Sequence, residues 1–297
     1  MVENVERTQE RLENIRTAEP LLGALRTVSM GSWQAARKQK GSVQRYAARL
    51  EGLLPWLVPQ LPARKSRRRR RERKVERVVA LLLGSERGMC GRFNRAIVEY
   101  GDRYLDGQAR AGLHVELWVV GSRAIRLLER TGRRLDWSEP LPATGLPPYR
   151  LADDLTRRWL ARFEAGQIDQ VDVLYNSYRG VGQYRPQEAR LIPPRISLQA
   201  GDAEFWPPPI VETDPVGLFA QIVRQLAAIN LYGLLLESAT AEHSARYQLM
   251  EEATQNAERL VQELTQDLQA ARRHAITQEM LQLVTGAGLL GSQHKEE

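Results

Sequence analysis

The 297-residue chain is 42% hydrophobic and 27% charged, which is ordinary for a soluble protein long enough to bury a core in one or two domains. No run of about 18 apolar residues predicts a membrane span, the acidic N-terminal stretch argues against a targeting peptide, and the single cysteine, Cys90, excludes an internal disulfide. The net charge of +7 is local, because residues 64–74 (RKSRRRRRERK) hold nine basic residues and one acid, which leaves 7 − 8 = −1 for the rest of the chain.

The N-terminal segment, residues 1–62, is predicted to be a long helix. Its apolar residues recur mostly three or four positions apart as far as Leu54, which is the helical period. Pro20 interrupts this pattern, and a proline inside a helix removes a hydrogen bond and clashes with the preceding turn, so we expect a kink or break near Glu19. Three prolines are expected to end the helix: Pro55, Pro59 and Pro62.

Residues 63–74 are predicted to form a basic loop. Like charges at this density repel one another and resist burial, so a solvated loop is one interpretation. The alternative is an electrostatic docking patch for anionic lipid headgroups, an acidic protein surface or RNA. The arginines at its centre are Arg67, Arg68, Arg69, Arg70 and Arg71.

Residues 75–209 change rhythm and are predicted to form a small central α/β domain. Short runs rich in β-branched residues predict strands at 75–83, 115–120 and 171–175. Helical patterns lie between them at 93–105, 122–130 and 151–163. Alternating strands and helices indicate a mainly parallel sheet. Two proline-rich stretches, 136–150 and 193–209, are predicted to be loops.

The C-terminal segment, residues 210–290, is predicted to be a second long helix, running from Pro215 to Gly286 and followed by a polar tail at 291–297. Apolar or small residues keep an unbroken three-four spacing from position 219 to position 275, and such a seam requires a partner helix. About 65 helical residues would span roughly 100 Å, far more than a small domain. The predicted fold class is therefore α/β plus a long antiparallel coiled coil, in which the N- and C-terminal helices form a shaft and the α/β domain is inserted between them.

A search for chemistry finds no catalytic, cofactor or metal residues. The chain has no GxxxxGK[ST] phosphate loop, and the glycines of GSERGMCG (84–91) miss the GxGxxG spacing. Its four histidines show no ligand spacing. Cys90 is expected to be a buried structural thiol, and His243, on the seam, a register or partner-contact residue. No cofactor is expected.

Several stretches resemble the gamma subunit family of F-type ATP synthases. ARRHAITQEMLQLVTGAG (271–288) is similar to that family's C-terminal ARQ-ASITQE-x-x-E-I-V-x-GA signature, and GSERGMCGRFN (84–94) to its S-D-R-G-L-C-G-x-x-N turn. ALRTVSMGSWQAARKQ (24–39) resembles its N-terminal helix more loosely. The similarity runs in the right order from about residue 3 to residue 290. The sequence departs from the family at Trp33, where the N-terminal helix has a lysine, and at Arg273, where the signature has a glutamine, which indicates a divergent bacterial member.

The resemblance implies a function and a set of partners. The coiled coil would be the central rotor shaft inside a ring of alpha and beta subunits, and the α/β domain would sit on the membrane-embedded c-ring and touch the epsilon subunit. Proton or sodium flow would turn the shaft, which would drive the catalytic beta subunits through their conformations. The chain would be non-catalytic, present in one copy per hetero-oligomeric complex, and peripheral on the cytoplasmic face of a bacterial inner membrane.

The resemblance also implies which residues contact the alpha and beta subunits. By position, Arg272 matches the arginine that bonds to the beta subunit, with Arg273 next to it. Thr277, Gln278 and Glu279 match the family's TQE. Ile276, Met280 and Val284 recur at a spacing of four, so they share one face that would bear against an apolar sleeve.

Two other classes of function remain open from the sequence. One is a basic-armed nucleic-acid-binding α/β protein with a coiled-coil stalk, although the charge of −1 outside the basic run counts against it. The other is a small α/β enzyme with a stalk for oligomerisation. Capture experiments would separate the three hypotheses, because each predicts a different partner.

Overall fold

The computed structural model describes residues 2–61, 75–194 and 212–286. The chain divides into two compact units. The terminal unit combines Met1–Thr27 with Met250–Glu297, and the central unit is Val28–Leu249. Each is described by itself below.

Helix α1 runs from Val2 to Glu51. Most of its less exposed positions follow one another in steps of three and four, the spacing of a two-helix seam. They are Val5, Thr8, Leu12, Ile15, Glu19, Leu22, Arg26, Ser29, Trp33, Ala36, Lys40, Val43, Ala47 and Leu50. Several of these are polar, and the side chains that pair with them lie on the C-terminal helix.

Of the kink or break expected near Glu19, the break is wrong, because α1 continues through Pro20. Pro20 lies on an exposed face of the helix. Water can therefore bond to the carbonyl oxygen that a proline leaves without its helical donor. An exposed proline weakens a helix, whereas the seam on the opposite side keeps the helix in place.

After α1 the chain turns through two short elements. Helix α2 (Leu54–Leu57) and a 3-10 turn (Val58–Gln60) each have a proline in the first turn, a position where the missing N–H costs nothing. Leu54 and Leu57 are buried and pack with Ile222, Leu226 and Ile229 of the C-terminal helix. These contacts fix the end of α1 against that helix.

One mixed sheet of five strands forms the α/β domain, in the order β3-β2-β1-β4-β5. The strands are β1 (Arg77–Leu83), β2 (His114–Val120), β3 (Trp137–Glu139), β4 (Gln170–Gly180) and β5 (Gln183–Ile192). The interleaved helices are α3 (Phe93–Arg110), α4 (Ser122–Arg130) and α5 (Tyr149–Glu164). Only β5 runs antiparallel to its neighbour, so the prediction of a mainly parallel sheet is confirmed.

Strand β1 is buried on both faces of the sheet. Val79, Leu81 and Leu83 enter one core with α5 and the C-terminal helix. Ala80 and Leu82 enter the other core with α3 and α4. A strand covered on both sides is apolar throughout, which is why it could be predicted from the sequence.

Two strands were not predicted. β3 lies within residues 136–150, which the sequence analysis treats as a loop, and β5 follows β4 as the second strand of a hairpin. β5 is an edge strand with mostly exposed or half-buried residues, and it contains Pro186, which removes a backbone donor. Neither strand has the apolar run that identified β1. Of the second predicted loop, residues 195–209 lie outside the described part of the chain.

Helix α6 runs from Pro215 to Gly286, and it begins at the residue that the sequence predicts. It begins with an N-cap, since the Asp214 carboxylate accepts hydrogen bonds from the amides of Val216 (3.1 Å) and Gly217 (2.8 Å). Every predicted seam position from 219 to 275 is buried or half-buried. The predicted seam is therefore confirmed.

Part of α6 is strongly apolar. One window within Pro215–Thr285 is long and apolar enough to cross a membrane by length and composition alone, and 44% of it is buried within the protein. Leu231, Leu235 and Leu236 pack into the core on the sheet. Burial against the sheet and α1 accounts for this composition.

Helices α1 and α6 are antiparallel, as predicted. In the central unit the paired residues are Trp33 with Tyr247, Lys40 with Glu237, and Tyr46 with Gln225. In the terminal unit, Arg26 Nη1 pairs with Glu251 Oε2 at 3.0 Å. Residue numbers rise along α1 as they fall along α6.

Candidate functional site

The last turns of α6 expose several large apolar side chains. Ile276 is 61% exposed, Met280 66%, Leu281 56% and Leu283 72%. One exposed apolar residue is normal on a protein surface, whereas several together indicate an interaction surface. This stretch is therefore the strongest candidate for a binding site in the terminal unit.

These apolar residues lie away from the seam. The least exposed positions nearby are Leu268, Ala271 and Ala275, which mark the side of α6 that the seam occupies. Successive residues are about 100° apart around an α-helix, which places Ile276, Met280 and Leu283 roughly 90° to 150° from the centre of the seam. A partner helix on the seam therefore leaves them uncovered.

The five predicted polar contact residues are also exposed: Arg272, Arg273, Thr277, Gln278 and Glu279. The Thr277 hydroxyl donates to the Arg273 carbonyl (2.8 Å), and Arg273 Nε donates to the Gln269 carbonyl (3.4 Å). Within the described residues, no hydrogen bond or ion pair engages the side chains of Arg272, Gln278 or Glu279. Those three are available to an external partner.

The predicted contact residues thus fall on consecutive turns of one helix, with one difference among the apolar three. Ile276 and Met280 are exposed, whereas Val284 is half-buried. Leu281 and Leu283 belong to the exposed group but were not predicted. They lie outside the series of apolar residues spaced by four, although the run LQLV (281–284), with a single polar residue, is a signal visible in the sequence.

In the central unit, the topology suggests a second place to look for a site. The chain goes from β1 outward to β2 and β3, then returns to the other side of β1 to form β4. Open α/β sheets usually bind small ligands where this reversal occurs, at the carboxyl ends of the strands. In this protein, the turn GSERGMCG (84–91) directly follows β1 at this edge of the sheet.

Helix α6 occupies that place. Arg246 Nε donates to the Gly88 carbonyl (3.0 Å) and Arg246 Nη2 donates to the Arg87 carbonyl (3.1 Å). Beyond β4, the Ser244 hydroxyl accepts a hydrogen bond from the Gly182 amide (2.9 Å). The crevice that holds a nucleotide in many α/β proteins is therefore filled by the chain's own helix.

Arg246 is buried, and its charge is balanced within α6. Its Nη2 lies 2.6 Å from Glu242 Oε1, and burial raises the pKa of Glu242 while Arg246 opposes that rise. Arg246 Nη1 lies 3.0 Å from His243 Nδ1. Burial, with the charges of Arg246 and Arg87, lowers the pKa of His243 to about 4. The ring is therefore neutral at pH 7 and accepts the bond from Arg246.

The turn after β1 is held by a second set of polar contacts. Asn94 Oδ1 accepts from the Ser85 amide (2.9 Å), and Asn94 Nδ2 donates to the Ser85 hydroxyl (2.7 Å). Cys90 Sγ lies 3.7 Å from that hydroxyl. Cys90 is 3% exposed, and burial raises the pKa of its thiol. The prediction of a buried structural thiol is confirmed.

Two other sequence predictions concern charge and metal ligands. The basic run, with Arg67, Arg68, Arg69, Arg70 and Arg71, lies outside the described residues. Across residues 2–61, 75–194 and 212–286, no group of three or more His, Cys, Asp and Glu side chains is arranged to hold a metal ion.

Comparisons with known proteins agree with one another. The model of the family described as ATP synthase matches residues 4–290. The ATP synthase gamma chain of Chlorobium luteolum is 25% identical over 283 residues, which cover 94% of this chain and 96% of the relative. That of Anaeromyxobacter dehalogenans is 28% identical over 290 residues, covering 95% and 97%.

Solved structures show the same fold. A chain of the Euglena gracilis mitochondrial ATP synthase superposes with a TM-score of 0.63 at 14% identity, covering 100% of this chain and 98% of that one. A chain from the central stalk and c-ring of the Tetrahymena thermophila enzyme has a TM-score of 0.56 at 18% identity, covering 78% and 99%. These matches do not support the nucleic-acid-binding alternative.

Proposed function

Because the chain belongs to the ATP synthase family and its curated relatives are gamma chains, we propose that it is the gamma subunit, the central rotor shaft of an F-type ATP synthase. The observation that carries this function is the exposed end of α6. Ile276, Met280 and Leu283 face away from the seam, so they are buried only if other subunits surround the helix. A shaft inside a sleeve of alpha and beta subunits meets that requirement.

The subunit itself is proposed to be non-catalytic. The position at which an α/β sheet would bind a nucleotide is filled by Arg246 and Ser244 of α6. A ligand there would have to displace the helix and leave the charge of Glu242 buried without Arg246, which costs several kcal/mol. Catalysis would then belong to the beta subunits, and this chain would set their conformations.

The contacts at the tip are proposed to serve two roles. Ile276, Met280 and Val284 would bear against the apolar sleeve in every rotational state. Arg272, Gln278 and Glu279 would bond to a beta subunit in some states and not in others, and Arg273 and Thr277 would complete the polar set. A shaft can shift the beta subunits between states only if its contacts with those states differ in free energy.

The other partners follow from the same proposal. The α/β domain would contact the c-ring and the epsilon subunit, with one copy of the chain in each complex, and proton or sodium flow would drive rotation. The complex would lie on the cytoplasmic face of a bacterial inner membrane. The basic run centred on Arg67–Arg71 would dock electrostatically on an anionic surface there.

Co-expression with the alpha and beta subunits of the same organism tests the function. We expect one stable complex on size exclusion, with ATPase activity that requires this chain. Calorimetry on the isolated chain should detect no ATP binding at micromolar concentrations. Failure to co-purify with alpha and beta, or a tight ATP site on the isolated chain, would overturn the proposal.

A further inference from the structure

Tyr178, near the end of β4, contacts both long helices. Its backbone amide donates to Glu237 Oε1 of α6 (3.0 Å). Its ring centroid lies 6.0 Å from that of Trp33 in α1, and the Arg37 guanidinium of α1 lies 5.9 Å from the same ring. One residue of the sheet is thus joined to two helices by independent contacts.

Glu237 completes the contact on the polar side. Its Oε1 also accepts from the Ser177 hydroxyl (3.1 Å), and its Oε2 pairs with Lys40 Nζ of α1. Glu237 is buried, so this carboxylate is stable there only because three donors, two from β4 and one from α1, satisfy it. The same side chain therefore links β4, α6 and α1.

Trp33 completes the contact on the aromatic side. Its ring stacks on Tyr247 of α6 with a centroid distance of 5.9 Å, and Arg37 lies 5.8 Å over it. Within the described residues, the buried Nε1 of Trp33 has no hydrogen-bond partner. The position of the indole is thus set by ring packing and cation–π attraction and not by a polar bond.

An irregularity in the pairing of β4 and β5 lies beside Tyr178. The register of β4 and β5 shifts between Tyr178 and Gly180. Such a β-bulge bends the strand and re-aims the side chains beside it. The irregularity thus lies at the residue that contacts both helices.

We propose that Tyr178, Trp33 and Glu237 form a torque junction, through which rotation of the α/β domain is passed to both helices of the shaft at once. The inference rests on the proposed function, because only a rotating shaft carries such a load. A tie to α6 alone would load one helix and let the pair shear along its seam. A tie to α6 and α1 together turns the two helices as one body.

Torsional stiffness of the assembled complex is the measurement. The complex of this chain with its alpha and beta subunits is held by the head, and a bead is attached to the α/β domain through Arg134→Cys, a position whose side chain is 92% exposed. Cys90 is buried and does not compete for the label. The thermal angular variance of the bead is recorded for wild type, Tyr178→Ala, Trp33→Leu and Trp33→Phe.

We expect Tyr178→Ala and Trp33→Leu each to increase the variance by up to roughly two-fold, because the aromatic contact between β4 and α1 is lost while the contacts with α6 remain, and Trp33→Phe to stay near wild type. The matched control is Trp137→Ala, which removes a half-buried indole that packs on Trp118 within the sheet (4.9 Å). Its melting temperature should fall without a change in stiffness.

The outcomes separate the two proposals. Wild-type stiffness in Tyr178→Ala and Trp33→Leu, or an equal softening in Trp137→Ala, overturns the junction. If the Tyr178→Ala complex does not assemble, the stiffness of the Trp33→Leu complex alone tests the junction. A wild-type chain that forms no complex with alpha and beta overturns the proposed function instead.

Discussion

The Gly182 amide lies 2.9 Å from the Ser244 hydroxyl, a contact that ties the tip of the β4–β5 hairpin to α6. Gly182 has a φ of +69°, and a Cβ at this position would lie 2.8 Å from Cγ of Gln248. Gly182→Ala should therefore add left-handed strain of roughly 1–2 kcal/mol and a steric clash. We expect a lower melting temperature in thermal unfolding.

Gly132→Ala is the control, since Gly132 has a φ of +73° and nothing within 4 Å of its Cβ, so it should show the strain without the clash. An equal fall in melting temperature in both variants would contradict the close approach of Gln248 to Gly182.

Arg246→Met should destabilise the central unit strongly. The change leaves the Glu242 carboxylate buried and unpaired, which typically costs about 3–5 kcal/mol. The Gly88 and Arg87 carbonyls also lose their donor, so the turn beside Cys90 should open and the thiol should react faster with a disulfide reagent. Arg259→Met is the control, because Arg259 forms an exposed pair with Glu263 (3.9 Å) and should change the free energy of unfolding by less than about 0.5 kcal/mol. An Arg246→Met protein with unchanged Cys90 reactivity would show that Arg246 does not hold the turn.

The free energy of unfolding of the central unit should depend on pH through the protonation of His243. Its folded-state pKa of about 4 lies below the ordinary 6.5, so at intermediate pH the unfolded chain binds a proton that the folded chain does not. This contribution to the free energy of unfolding is complete above pH 6.5 and is lost as the pH falls toward 4, by about 3 kcal/mol at most.

Glu242 acts in the opposite direction, because burial raises the pKa of its carboxyl group. The comparison of wild type with His243→Gln isolates the histidine, since the glutamine can still accept from Arg246 but does not titrate. Denaturant unfolding at several pH values should show the two curves diverging below pH 6.5. Parallel curves would mean that His243 is protonated as easily in the folded state as in the unfolded one.

The tip of α6 should separate assembly from turnover. Ile276→Asp would place a charge in an apolar sleeve, at a cost of several kcal/mol, so the complex should fail to form. Arg272→Ala would remove one charge-assisted hydrogen bond of about 1.5–3 kcal/mol, so the complex should assemble but turn over several-fold more slowly. Size-exclusion yield and ATPase rate are the two measurements.

The control for the tip is Gln262→Asp, at an exposed position lower on α6. It adds the same charge outside the proposed sleeve and should assemble normally. Normal assembly and activity of Ile276→Asp would show that the tip is not enclosed.

The basic run should assist assembly of the complex but should not contribute to rotation. Replacing residues 64–74 with a Gly/Ser linker removes a net charge of +8, so binding to anionic liposomes should weaken and become less sensitive to salt. The ATPase rate per assembled complex should stay near wild type. A several-fold loss of rate in fully assembled complexes would assign the run a role in rotation.

What could be predicted from the sequence depended on how many neighbours bury an element. The seam of α6 and the strand β1 are apolar because they are covered by other parts of the chain, so their positions could be predicted. β5 has one covered edge and the proline Pro186, so its composition resembles a loop. No break occurs at Pro20 because the proline lies on the exposed side of α1, and the sequence analysis weighed its lost hydrogen bond without its position relative to the apolar seam.

The candidate site was predictable only where its residues are consecutive. The tip lies in one run of α6, whereas Arg246 and Gly88 are 158 positions apart, and no local pattern connects them. Tyr178 and Trp33 are likewise far apart in the sequence, so they meet only in the folded protein.

The pairing of Arg26 with Glu251 also constrains how the protein is made. These residues are 225 positions apart, so at roughly 5–20 residues per second a ribosome needs about 10–45 s to supply the partner of the first half of α1. The α/β domain has its strands and three of its helices complete well before then. The seam of the nascent N-terminal helix therefore stays without its partner during most of synthesis, and the pairing of α1 with α6 is a late step of folding.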